Sequence, residues 1–306
     1  MSKVKPSARS DIRPRGPAGD AAFAPLYDPS LRWPVRRAWL ELFVREGVQQ
    51  ALGLPLERLL MGVWLGHAPG GATVERLGLP RRALGEAMGE ALTLAVPPRE
   101  LIQSVRWGPV PHRQRPSSVT FIWNGEWDRH RGDLRFSSRY ELIRELDAHR
   151  DALTRTRRFH ELAARLAAGR PWQSHQQGVL LNTRARILTY LQAYLGFLDD
   201  MAAHGFNAAR GKDALGVAVN RHGRLLKINR GLHRLAMAQY LGLETVPVRV
   251  QAVHRQWWHE VVGSARGADA LERLRDALGR CVPESAPGVE GLAPLAQDFH
   301  WPAPRG

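Results

Sequence analysis

The chain has 306 residues, of which 44% are hydrophobic and ten are tryptophan, enough apolar material to bury one large core or two modest ones. Its single cysteine excludes a disulfide framework and a cysteine-rich zinc site and fits a reducing cytoplasm, and no run approaches the roughly 18 apolar residues of a membrane span. A net charge of +15 draws polyanions, nucleotides and nucleic acid among them, although arginine scattered over solvated faces gives the same total.

In chain order, residues 1–34 read as a disordered basic arm. Pro6, Pro14, Pro17, Pro25, Pro29 and Pro34 stand among small and basic residues and leave no periodic apolar face. Residues 35–116 read as a helical region. Leu40, Phe43, Val44, Val48 and Ala51 recur at helical spacing, and further helices are predicted over 55–65, 80–95 and 98–105. Residues 117–204 combine a β element with long helices. The β element runs from Ser117 to Trp123, turns at Asn124-Gly125 and continues as Glu126-Trp127-Asp128. Two apart on an extended segment, Glu126 and Asp128 face the same way and can chelate a cation or act as a base; a capped turn pinned by two packed tryptophans is the alternative. Seven arginines between Arg139 and Arg165 make either a basic ridge or, with the acids among them, a solvated face. Arg184–His204 is a strong helix with Gly205 as its stop. The stretch Gly205–Asp213 approximates a P-loop, but it is one residue too long and Asp213 stands where the magnesium-binding Ser/Thr belongs.

Residues 205–262 read as a small α+β domain in which Val217–Asn220, Leu225–Ile228 and Val246–Val253 share a sheet, with His222-Gly223 as the hairpin turn. The helix after Gly231 is apolar nearly all round and is predicted to lie between layers. Its mouth is Asn229-Arg230-Gly231-Leu232-His233-Arg234. A glycine entering a helix N-terminus, with His and Arg in the first turn, can hold a phosphate by backbone N–H groups, the helix dipole and a guanidinium fork; a satisfied structural His-Arg pair is the alternative. Residues 221–258 carry seven Lys/Arg against the single acid Glu244, a balance that suits a polyphosphate and offers no obvious general base. His254 and His259 are spaced wrongly for two zinc ligands on one helix face, and no metal site is predicted. Residues 263–306 read as one more helix and an irregular tail.

The run Gly-x-His-Arg-Leu-Ala-x-Ala from Gly231, the run Leu-Gly-Leu-Glu-x-Val-Pro-Val from Leu241, and the trailing His254-Arg255-x-x-Trp258 resemble the ParB/sulfiredoxin-like superfamily, especially its bacterial ParB-like branch. Trp-Asn-Gly-Glu-Trp-Asp at 123–128 is similar to a Gly-x-Trp-Asp element upstream of the domain in that branch. The resemblance implies a helical N-terminal region followed by a small ParB/sulfiredoxin-like α+β domain. It also implies ATP or CTP with Mg2+ held at Asn229, Arg230, Gly231, His233 and Arg234, with Asp213, Glu126 and Asp128 as the catalytic candidates. Leu232 stands where sulfiredoxins carry their catalytic cysteine, which argues against sulfinic-acid reduction. Asn229-Arg230 replaces an acidic residue of many relatives, a change that phosphate binding survives better than catalysis does. The functions implied are an NTP-dependent phosphotransferase, an NTPase or an NTP-gated switch; the alternative is a basic nucleic-acid-binding protein with the domain as scaffold.

Overall fold

The structure, a computed structural model, describes residues 21–174, 178–208, 214–285 and 298–304. The end of the expected arm departs from expectation. Ala21–Leu26 and Pro29–Leu31 form 3-10 turns that bury Phe23, Leu26 and Leu31, because three apolar residues among prolines find cover without any periodicity to announce it. Residues 1–20 lie outside the described residues.

Helix α1 (Arg32–Val48) passes through a π turn at Gln49–Gly53 into α2 (Leu54–Leu65), and α3 (Gly71–Leu77) and α4 (Arg81–Met88) follow. The helix expected over 80–95 stops at Gly89, and the one expected over 98–105 is not formed. In their place stand β1 (Thr93–Val96) and β2 (Gln103–Val105). Gly89, at φ +52°, ends α4 and leads into a 3-10 turn to Leu92, and Pro97-Pro98 keeps the chain extended beyond it, since a residue preceding proline is pushed to extended backbone and proline offers no N–H to a helix. Next come β3 (Ile122–Trp123), β4 (Arg131–Asp133), α5 (Ser138–Ala148), α6 (Arg157–Ala167), β5 (Trp172–Ser174) and β6 (Val179–Leu181). The chain continues with α7 (Arg184–His204), β7 (Leu215–Val219), β8 (Arg224–Lys227), α8 (Leu232–Leu241), β9 (Val246–His254), α9 (Arg255–Val262), α10 (Gly267–Leu278) and β10 (Val282–Pro283).

Two compact units result. One takes residues up to Arg45 together with Asp151–Ala193. In it β5 and β6 form a hairpin, Tyr27 bridges to Val179, and the Arg186 guanidinium donates to the carbonyls of Leu26 and Leu180. Thr156 caps α6 by accepting from the Phe159 N–H. The expected helices of 139–168 are thus α5 and α6, which belong to different units, and several of their arginines are paired: Arg150 with Asp147 and Asp199, Arg157 and Arg158 with Glu161.

The other unit, Glu46–Arg150 with the chain from Tyr194 onward, holds a mixed sheet in the order β1-β9-β7-β8-β2-β4, with β10 beside β8 and β3 beside β9. The three expected strands are central to it, with β7 antiparallel to β8 and parallel to β9. The sheet is wider than the expected domain of 205–262, because β1 to β4 come from residues 93–133. Strands of two to four residues are too short to show an alternation, so the sequence pattern misses them. Helix α8 buries every residue from Leu235 to Leu241. It packs on α5, where the Tyr240 hydroxyl donates to the buried Asp147, and Arg99 donates to the carbonyls of Gln239 and Tyr240 at its C-terminal end. Among the described residues no helix is long and apolar enough to cross a membrane.

Candidate phosphate-binding loop

Strand β8 ends on Lys227, whose side chain is wholly buried. Its nitrogen donates to three consecutive carbonyls of the following loop, those of Ile228, Asn229 at 3.0 Å and Arg230 at 2.7 Å. Burial pushes the Lys227 ammonium down to about 7; the ammonium has one N–H for each of the three carbonyls, and the neutral amine keeps two N–H donors to share among them. In a trans peptide the carbonyl and the next N–H point in opposite directions. Three carbonyls drawn onto one nitrogen therefore direct the N–H groups of Asn229, Arg230 and Gly231 away from it. The backbone alternates in hand along this stretch, with φ of +37° at Asn229 and +86° at Gly231 and Arg230 outside the positive region, the pattern of an anion-binding nest.

Gly231 is the N-cap of α8 and brings no side-chain cap to it. Glycine is required here twice over. Its φ is left-handed, and a Cβ would lie 2.6 Å from the Leu215 Cδ2. His233 and Arg234 follow as the second and third residues of the helix. The His233 ring lies 5.1 Å from that of Tyr194. Arg234 stacks on Phe206 at 4.2 Å and donates to the Asn207 carbonyl, and burial lowers its pKa from the ordinary arginine value. Asn229 is tied to the sheet through Gln251, to which its amide donates at 2.9 Å. Both side chains cross over Gly216, where a Cβ would come within 2.6 Å of the Asn229 Oδ1 and 2.8 Å of the Gln251 Nε2. Gly216→Ala is thus expected to displace this pair, which are flexible side-chain ends, at a cost of about 1 kcal/mol for the lost hydrogen bond. A melting curve within a few degrees of the parent, together with altered Asn229 and Gln251 amide resonances, would show it.

Of the acids singled out from the sequence, Glu126 and Asp128 are not brought to this loop. Asp213 lies outside the described residues. Glu126 and Asp128 sit against Arg221 and the turn that joins β7 to β8, at the far end of β8 from Lys227, a strand length of about 10 Å away by the three rises from Arg224 to Lys227. There Asp128 is almost wholly buried and accepts from the Arg221 backbone N–H at 3.0 Å and from its guanidinium at 2.6 Å. Burial pushes the Asp128 carboxyl up, but the hydrogen bonds from Arg221 outweigh it and hold it below the usual carboxylate range. Glu126 is exposed and pairs with Arg129 and, at 3.3 Å, with Arg221. His254 donates from Nε2 to the Gly125 carbonyl and accepts at Nδ1 from the Gln256 N–H, so it caps α9 as a neutral ring; burial is the main cause that lowers its pKa. Trp123 and Trp127 pack edge to face at 5.3 Å beneath this turn. The geometry of the Glu126–Asp128 segment is that of the pinned turn.

Sequence reasoning missed Lys227, Arg221 and Gln251. Arg221 and Gln251 carry no local signal, since their partners lie at distant positions in the chain. Lys227 interrupts the apolar run Leu225-Leu226-Lys227-Ile228, but such a lysine equally marks a solvated strand position. No protein-family model, curated protein or solved structure matches the chain.

Proposed function

We propose that the loop Asn229–Gly231 and the first turn of α8 bind the phosphates of a nucleotide, ATP or CTP with Mg2+, in a protein of ParB/sulfiredoxin-like type. The observation that carries this reading is the capture of three successive carbonyls by Lys227, which aims the opposing N–H groups of the loop in one direction at the positive end of a helix. The excess of seven Lys/Arg over one acid across 221–258 adds a favourable field for a polyphosphate. Magnesium arrives with the triphosphate and keeps most of its water, as it does at sites with few protein ligands. Because Glu126 and Asp128 are engaged at the other end of the hairpin, the arrangement favours a nucleotide-gated switch over phosphoryl transfer.

Arg234→Ala is expected to weaken ATP or CTP binding about ten- to a hundredfold, the worth of a charge-assisted contact. His233→Ala weakens it less. Both variants stay folded by circular dichroism, since the buried body of α8 begins at Leu235. If isothermal titration gives both variants the parent's affinity, the loop is not the phosphate site.

A further inference from the structure

The second unit contains a cleft of about 510 Å³ where α4 and the start of α2 meet β9. Three arginines line it. Arg81 and Arg82 are the first two residues of α4, where the positive end of the helix dipole disfavours cations, and the N-cap Pro80 supplies no side-chain acceptor. Glu57 accepts from the Arg82 backbone N–H at 3.1 Å, and the Arg82 side chain donates to Gln49. The Arg81 guanidinium is half-buried; burial first, and then the charge of Arg82, push its pKa down. Among the described residues it makes neither a hydrogen bond nor an ion pair. Arg249 reaches the cleft from β9 on long hydrogen bonds of 3.3 to 3.4 Å to the Gly89 and Gly85 carbonyls and the Thr93 hydroxyl. Glu86 also lines the cleft, but both of its oxygens are taken by Arg58 at 2.7 and 2.8 Å.

Two further features fit a ligand. Gly85 occupies the middle of α4, where alanine is about 1 kcal/mol better, yet a Cβ there would meet only the Arg249 Nη2, at an ordinary 3.8 Å. Packing does not require glycine at this position, and its bareness leaves the Arg249 guanidinium open to the cleft. The other wall is apolar, formed by Leu54, Leu92 and Val250. We infer that the cleft binds a small organic oxyanion, a phosphomonoester or a polycarboxylate, with the anion on Arg81, Arg82 and Arg249 and the organic body against Leu54, Leu92 and Val250. Guanidinium forks match both anions in two-point geometry, and the volume suits a metabolite-sized ligand. The inference does not depend on the glycine loop.

The test is isothermal titration of the full chain with phenyl phosphate, citrate and phenol at millimolar concentrations. The parent is expected to bind phenyl phosphate or citrate, the stronger of the two naming the anion, and to ignore phenol. Arg81→Gln is expected to weaken that binding about tenfold or more. Gly85→Asp delivers a carboxylate to Arg249 from within and is expected to abolish binding while raising the melting temperature, which keeps the test valid if Arg81→Gln folds poorly. The binding that Arg81→Gln weakens is retained in Arg234→Ala whether or not the glycine loop binds nucleotide, and any phenyl phosphate held by that loop is a second site, lost in Arg234→Ala and kept in Arg81→Gln and Gly85→Asp. The inference is overturned if the parent binds neither anion, or if Arg81→Gln and Gly85→Asp both bind phenyl phosphate and citrate as the parent does.

Discussion

Lys227→Met is expected to lower the melting temperature by roughly 10 °C, the largest effect of any single change at the loop. Methionine fills the buried volume but leaves the carbonyls of Ile228, Asn229 and Arg230 without their donor. An unsatisfied buried polar group costs about 1–3 kcal/mol, so a total of about 3–5 kcal/mol follows even with partial rehydration of the exposed end of the loop. The effect has a pH signature. In the folded protein burial pushes Lys227 down to about 7, whereas an unfolded lysine titrates near 10.4. Between those values the unfolded chain binds the extra proton, so this group makes the parent more stable as pH rises from about 7 to about 10. Methionine does not titrate, and the gap between parent and variant widens over that range. Urea denaturation at pH 6, 7.5 and 9 measures it; a gap that stays flat across these values would show that the buried nitrogen does not lose its proton in the fold.

Asp128→Ala is expected to cost about 3–5 kcal/mol, because it takes the buried carboxylate from the Arg221 guanidinium and leaves it only the exposed Glu126 and the Gly125 carbonyl, each at 3.3 Å. Here the sign runs the other way. The folded carboxyl titrates below the usual range, so its contribution is present above about pH 4 and is lost as pH falls through the lower, folded value. The parent and Asp128→Ala therefore converge on acidification, and thermal melts from pH 3 to pH 6 follow the convergence. Nucleotide affinity, measured well below the variant's melting temperature, stays at the parent's level because Asp128 lies at the far end of the β7–β8 hairpin from Gly231. A matching loss of affinity and stability would place Asp128 in the binding site after all.

The parts of this structure that local pattern controls were readable in advance. Arg184–His204 is the helix expected, since an apolar stripe and a terminal glycine fix both its body and its end. Strands β7, β8 and β9 and the buried body of α8 follow from alternation, a turn dipeptide and an all-round apolar helix. What could not be read is what depends on partners far along the chain. Asp128 and Arg221 are 93 positions apart, and neither residue's surroundings hint that they satisfy each other. Strand β1 exists because β9 offers it an edge, in register from Thr93 opposite Arg249 to Val96 opposite Val246. The same holds for the loop itself. Its glycine and His-Arg pair stood out, but the carbonyl cage around Lys227 that shapes it is a property of the folded backbone.

Amide resonances of 15N-labelled protein during titration with ATP and CTP in the presence of Mg2+ report directly on whether the Asn229–Gly231 backbone receives a nucleotide phosphate. Saturable shifts are expected, largest at Asn229, Arg230, Gly231 and the first turn of α8. Pyrophosphate should reproduce them, and the neutral nucleosides should not. Shifts that bypass this loop, or an unchanged spectrum at millimolar nucleotide, would contradict phosphate binding there.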